Sequence, residues 1–294
     1  VSAPTARVRT GLGRLLLASR PLSWVNTAYP FGAAYLIAGG GVDPRFVVGV
    51  LFFLVPYNLL MYGVNDVFDH ESDLRNPRKG GVEGAVLDTE WHRPTLLVAT
   101  LLPVPFAVSL LAAGSAAAAL VLAVSLFAVV AYSAPGLRFK ERPVLDSMTS
   151  ATHFVSPALY GLVLVGEPIG RTAWLVLAAF FAWGMASQAF GAVQDVVADR
   201  EAGIGSVATV LGAARTVRVA LGLWTAAAVL LLPTAWPGPL AGLLVVPYLA
   251  LAWPFRSLPD ARAAEANRGW RQFLVANYVV GFGVTMLLIW AALA

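Results

Sequence analysis

A succession of apolar runs, each about as long as a bilayer is thick, restricts this chain more than any other feature. They cover residues 22 to 41, 45 to 64, 94 to 113, 115 to 133, 149 to 166, 172 to 192, 215 to 233, 237 to 253 and 272 to 293. A hydrocarbon core of roughly 30 Å is crossed by about 20 helical residues. In lipid every backbone polar group must be paired within the structure, which leaves helices or closed β-barrels. Runs this long and this rich in Leu and Ala select helices. The composition agrees, with 59% hydrophobic and 12% charged residues, against about 25% charged in an ordinary soluble domain. The expected fold class is an all-α membrane protein, a bundle of nine transmembrane helices around a central cavity opening to the cytoplasmic side.

The basic residues set the orientation. Nine spans place Arg7, Arg9, Arg14, Arg20, Arg75, Arg78, Lys79, Arg93, Arg138, Lys140, Arg142, Arg200, Arg215, Arg218, Arg256, Arg262, Arg268 and Arg271 on one side and only Arg45 and Arg171 on the other. Positive charge stays inside, so the N-terminus and the four large loops are expected in the cytoplasm and the C-terminus outside. The net charge of +4 then reflects topology and attraction to anionic membrane lipids, and calls for no nucleic acid. With no cysteine, disulfides, iron–sulfur clusters and thiol catalysis are excluded. The first 20 residues carry four arginines and no apolar stretch ending in a small-residue cleavage site, so no removable signal peptide is expected. No linker interrupts residues 1–294, which read as a single domain.

Against this background the acidic residues stand out. "YGVNDVFDHESD", residues 62 to 73, follows the second apolar run, and an unpaired carboxylate at a membrane is costly. Were that helix to continue, Asp66, Asp69 and Asp73 would lie within about 60° of one another, with Asn65 about 40° beyond. A second cluster, "QDVVADREAG" at 194 to 203, spaces Asp195 and Asp199 one turn apart, with Gln188 on the same stripe. The two clusters make a weak internal echo four helices apart. One such loop alone could be a solvated connector with weak surface ion pairs; two with helical spacing and adjacent cations favour a shared purpose. Gathered carboxylates repel unless a hard cation sits among them. Mg²⁺ is usually held by one or two carboxylates plus substrate phosphates, which points to a diphosphate substrate. Arg75, Arg78, Lys79, Arg138, Lys140 and Arg200 supply countercharge. A charged head on an apolar cavity suits an isoprenyl diphosphate.

These residues resemble the UbiA superfamily of intramembrane prenyltransferases. Asn65, Asp66, Asp69 and Asp73 match its Asn-Asp-x-x-Asp-x-x-x-Asp signature, and Asp195, Asp199 and Gly203 match the second, Asp-x-x-x-Asp followed by glycine. "RPLSWVNTAYP", including Asn26, and "YSAPGLRFK" at 132 to 140 are supporting matches, and the resemblance runs from Arg20 to Trp290. Gly136 replaces a family proline, which should loosen that loop, and Gln194 stands where many members carry a charge. The resemblance implies that Asn65, Asp66, Asp69, Asp73, Asp195 and Asp199 hold two or more Mg²⁺ ions, with Mn²⁺ as a substitute. It further implies that Asn26, Asn65, Arg75, Arg78, Lys79, Ser133, Arg138, Lys140 and Arg200 bind the donor diphosphate, and that Asp69, Asp195, Lys140 and Tyr132 act in catalysis.

The string at 61 to 84 looks most like the branch that elongates lycopene to C50 carotenoids. That implies dimethylallyl transfer from its diphosphate to the ends of lycopene; aromatic quinone or tetrapyrrole precursors are the alternative acceptors. The near absence of other ionisable residues within the spans is consistent with a hydrocarbon acceptor. His153 is a candidate base, Asp146 a candidate cap for the fifth helix, and Tyr160 and Trp183 candidates for carbocation stabilisation. A cation-coupled transporter is the rival class, but its acids belong near the bilayer midplane, whereas these lie at one membrane face.

Overall fold

The computed structural model describes residues 11–75 and 87–293, leaving aside the side chains of Ser72, Asp73 and Arg75. The described residues form helices joined by turns, without a strand. Eight helical segments among them are long and apolar enough to cross a membrane: Pro44–Phe68, Thr89–Ala113, Ala116–Ser133, Leu145–Val165, Arg171–Val193, Ala213–Leu231, Gly238–Phe255 and Asp260–Leu293. The all-α fold class is thus observed, in a multi-pass integral membrane protein.

The first apolar run behaves differently from the rest. Its helix, Val25–Ile37, has 13 residues and follows a single 3-10 turn at Pro21–Ser23. Pro21 starts that turn, Arg20 before it has φ 50°, and three glycines follow at 39 to 41. The apolar run is as long as expected, but its ends are turn formers and shorten the helix.

The fold divides into two compact units, one of residues up to 138 together with 156–167, the other of 139–155 together with residues from 168 onward. In the first, Phe31, Tyr35, Phe52, Phe53, Tyr57, Leu122, Val129 and Tyr160 build the core. Phe31 lies 5.2 Å from Phe53 and 6.0 Å from Tyr160, ring to ring. Tyr160 donates to the Leu110 carbonyl at 3.4 Å and is fully buried in this core.

The segment Pro44–Phe68 is not one straight helix. It breaks at Val55–Pro56 and passes through a π-helical turn at Leu59–Gly63 before the short helix Val64–Phe68. A break in lipid frees carbonyls that must find donors. Asn58 provides them: its Nδ2 donates to the carbonyls of Phe53 at 2.8 Å and Leu54 at 3.1 Å and to Thr27 Oγ1 at 2.7 Å. Thr27 in turn donates to the Phe53 carbonyl at 2.7 Å, locking the helix Val25–Ile37 to the break.

The second unit is organised by Arg171–Val193 packed along Ala213–Leu231. Its core is an aromatic stack in which Trp224 meets Tyr248 at 5.5 Å and Phe273 at 6.0 Å, and Trp270 meets Phe273 at 4.9 Å. Trp183, partly buried, packs on Tyr248 and Phe273 in the same stack. Such rings contribute large buried area and about 0.5–1.5 kcal/mol per pair beyond it.

Candidate active site

The first acidic motif starts where the π turn ends. A π turn holds one residue more than an α turn, so it rotates whatever follows by about 100° relative to a plain α-helix. The helix Val64–Phe68 then stops at Asp69, whose backbone adopts φ −99° and ψ −1°, and a separate short helix, His70–Arg75, begins. The expected continuous helical stripe of Asp66, Asp69 and Asp73 is therefore interrupted at Asp69, and Asp73 belongs to the next helix.

Each described motif residue of this unit has a polar neighbour. Asn65 Oδ1 accepts from Ser133 Oγ at 3.0 Å, which brings together two residues singled out from sequence. Asp66 is buried, and its Oδ1 accepts from Arg20 Nη2 at 2.8 Å. Arg20 also lies over the Tyr62 ring, 4.2 Å from its centroid. Arg138 Nη2 reaches Asp69 Oδ1 at 3.8 Å. Arg20 and Arg138 share a further property: both have positive φ, 50° and 40°. Non-glycine residues in that region cost about 1–3 kcal/mol and gather at functional sites.

Arg20 is the functional candidate that sequence reasoning left out. It is the last cation before the first apolar run and opens the quoted "RPLSW" stretch, which is the signal that could have found it. Asn26 is exposed at the start of Val25–Ile37, and its neighbour Thr27 makes the inward hydrogen bonds. Arg75 lies in the helix His70–Arg75, whereas Arg78 and Lys79 fall outside the described residues.

The loop after Ala116–Ser133 turns on Gly136, at φ +85°, with the amides of Leu137 and Arg138 both donating to the Ala134 carbonyl. A proline is held near φ −65° and could not take this backbone, so the glycine makes a different, defined turn. Tyr132 is half-buried in the last helical turn before it, and Lys140 sits in a 3-10 turn at Phe139–Glu141.

The second motif likewise follows a helix end. Arg171–Val193 stops, Asp195 takes φ −99° and ψ −2°, and Val196–Glu201 begins. Asp199 N donates to the Asp195 carbonyl at 2.8 Å, so the expected one-turn spacing of the two carboxylates is present. Gly203, at φ +72°, ends this helix: its N–H bonds to the Arg200 carbonyl and that of Ile204 to the Asp199 carbonyl. That pair of bonds is a Schellman motif, which favours glycine at this position. Arg200 is engaged locally, donating from Nε to the Thr209 carbonyl at 2.8 Å and from Nη1 to Asp260 at 2.6 Å. Gln188 accepts from Ser150 Oγ at 3.1 Å.

Asp146 reaches the start of another helix. Within the first turn of Leu145–Val165, its Oδ2 accepts from the backbone N–H of Val207 at 3.0 Å, the first residue of Val207–Leu211. His153 is buried in the same long helix.

The description "UbiA prenyltransferase family" matches residues 27–281. A lycopene elongase/hydratase of Corynebacterium glutamicum is 52% identical over 275 residues, covering 94% of this chain and 96% of that protein. The C(50) beta-cyclic carotenoids biosynthesis protein LbtBC of Dietzia sp. strain CQ4 is 55% identical over 283 residues, 96% of this chain, which spans 66% of that protein's length. Among solved structures, a UbiA homolog from Archaeoglobus fulgidus bound to DMAPP and Mg²⁺ aligns with a TM-score of 0.64 at 18% identity, covering 91% of this chain and 98% of that one; at that identity the likeness concerns the fold.

Proposed function

Since the chain belongs to the UbiA prenyltransferase family, we propose that it transfers a dimethylallyl group from its diphosphate to the ends of lycopene, with release of diphosphate. The observation that carries this reading is the 52% identity, across nearly the full length of both chains, to a lycopene elongase/hydratase.

The donor set suits the metal that the family implies. Asp66, Asp69, Asp195 and Asp199 offer carboxylate oxygens and Asn65 a carboxamide, the hard oxygen ligands Mg²⁺ prefers. Among the described residues no three His, Asp or Glu side chains converge as a ready-made cage. Asn65, Asp66, Asp69, Asp73, Asp195 and Asp199 would hold two or more Mg²⁺ ions, or Mn²⁺ in their place. Bound there, the metal would neutralise charge on the departing diphosphate.

The chain's own residues do the rest. Arg75, Arg78, Lys79, Arg138, Lys140 and Arg200 would offer donors to phosphate oxygens, and Arg138 can pass from Asp69 to the diphosphate once that carboxylate is engaged. Tyr132 and Ser133 would touch the diphosphate or the prenyl head, and Asn26 would help orient it. The C–O bond to diphosphate breaks, the allylic carbon becomes cation-like, and a terminal double bond of lycopene attacks it. The resulting tertiary cation then loses a proton or takes up water. An apolar cavity within nine spans, closed to water on the cytoplasmic side, would protect the cation. The two units would act as one domain, with the N-terminus cytoplasmic and the C-terminus outside.

The test is extraction of pigments from lycopene-producing cells that express the chain, beside Asp69→Ala and Asp195→Ala variants. C45 and C50 carotenoids that vanish in the variants are the expected result. Unchanged lycopene beside prenylated aromatics would sink the acceptor assignment.

A further inference from the structure

We propose that the segment 260–267 is a brace for the second acidic motif, with Asn267 and Asp260 as positioning residues for Asp195 and Asp199. The inference rests on the reading of that motif as metal-binding. It concerns residues that neither the family signatures nor the apolar pattern singles out.

Polar ties flank the motif on both sides. Before Asp195, Asn267 Nδ2 donates to Gln194 Oε1 at 2.6 Å, and Gln194 Nε2 donates to the Gly191 carbonyl at 2.9 Å. Gly191 lies in the last turn of Arg171–Val193, where carbonyls lack helical partners. Both ends of the Gln194 side chain are thus committed, and the residue directly before Asp195 is fixed. After Asp199, Arg200 Nη1 pairs with Asp260 Oδ2 at 2.6 Å, while Asp260 Oδ1 accepts from Ala213 N at 2.7 Å. Asp260 therefore joins the motif's arginine to the start of Ala213–Leu231.

Packing sets the register of these ties. A Cβ on Gly191 would come within 3.0 Å of the Trp270 ring, and one on Gly269 within 2.6 Å of Phe255 and 3.0 Å of Phe190. Two missing side chains let the start of the last helix close on Arg171–Val193, so that Asn267 arrives opposite Gln194. The short helix Val196–Glu201, six residues long, is too short to hold its own shape. Anchoring at both ends keeps Asp195 and Asp199 in position before a cation arrives, and preorganised ligands bind more tightly because less order is lost on binding. Gln194, which stands where many family members have a charge, acts through this tie instead.

The experiment measures Mn²⁺ uptake by the full-length protein in detergent micelles, with inorganic diphosphate present, from the electron paramagnetic resonance signal of free Mn²⁺. Asn267→Ala and Asp260→Ala should each weaken Mn²⁺ binding by about tenfold. Glu265→Ala, which removes an exposed partner of Arg262 in the same segment, should bind as the parent does. Wild-type Mn²⁺ affinity in both brace variants would overturn the proposal. Should either alanine variant fail to fold, Asn267→Ser and Asp260→Asn replace them; Asp260→Asn keeps an acceptor for Ala213 while losing the charge opposite Arg200. Amide hydrogen exchange over residues 194 to 204 is followed in parallel without metal, and should accelerate in the brace variants only. If the parent takes up no Mn²⁺ and Asp195→Ala changes nothing, the metal reading fails. The brace is then judged by exchange alone, and unchanged protection would remove it too.

Discussion

Asp69 and Asp195 share one backbone conformation, φ −99° with ψ −1° at the first and φ −99° with ψ −2° at the second. Both lie in the sparsely occupied bridge region that active-site residues often adopt. Both mark the point where a helix stops and a short helix takes over, Val64–Phe68 giving way to His70–Arg75 and Arg171–Val193 to Val196–Glu201. The weak internal echo of the two acidic clusters thus has a local structural counterpart, since in each unit an aspartate stands at the junction between one helix and the next short one.

Arg20 and Asp66 form a pair in which the carboxylate is fully buried and the guanidinium about one-fifth exposed. Removing one partner of a buried pair leaves an uncompensated charge, at a cost on the order of 3 kcal/mol, reduced here by the partial exposure of Arg20. Arg20→Ala should lower the thermal unfolding temperature in detergent, and adding Asp66→Asn to it should recover part of the loss. Absence of recovery in the double variant would mean that Arg20 acts through packing on Tyr62 alone.

Asp146 supplies an acceptor to the first residue of Val207–Leu211. Asp146→Ala should destabilise the protein by about 1 kcal/mol, the usual value of an N-terminal cap, whereas Asp146→Asn keeps an oxygen for Val207 and should be milder. Equal melting temperatures for the two variants would show that charge, not the hydrogen bond, is what matters.

Asp43 caps Pro44–Leu54 by accepting from the Phe46 amide at 2.9 Å, and that bond, followed by those from Tyr35 and Arg45, lowers its pKa from 3.8 to about 2. A carboxylate depressed on folding contributes stability that is complete above its unfolded pKa and is lost as pH falls through the folded one. The melting-temperature difference between the parent and Asp43→Ala should therefore be constant above about pH 4 and shrink toward pH 2. A difference that instead grows on acidification would contradict the assignment.

Gly136 has φ +85°, which proline cannot reach. Gly136→Pro, which restores the family's loop sequence, should lower prenyl transfer in pigment extracts, while Gly136→Asn, tolerant of positive φ, should be close to the parent. Full activity in the proline variant would mean that the loop reshapes freely.

Much of this protein was legible in one dimension because the governing forces are local in sequence. Twenty apolar residues in lipid leave helix as the practical solution, so segments such as Ala116–Ser133 and Arg171–Val193 could be placed to within a few residues. Gly203 matched a signature and also met a backbone need, the left-handed position of a helix-ending motif. Asp195 and Asp199 kept their one-turn spacing because a single turn of helix carries the chain from one to the other.

What the tertiary structure decided was everything that depends on a partner distant along the chain. The π turn at Leu59–Gly63 shifts the register of the first motif, and the helix break just before it is tied by Asn58 and Thr27, 31 residues apart. No periodicity announces such a turn, because its extra residue is stabilised by contacts from another helix. Arg20 against Asp66, Asp146 on Val207, and Asn267 on Gln194 are separated by 46, 61 and 73 residues. Each is a polar group paired in a low-dielectric interior, where an unmet hydrogen bond is costly. Composition shows that these groups are present; only the folded chain determines which meets which, because burial and not sequence proximity is what makes the pairing necessary.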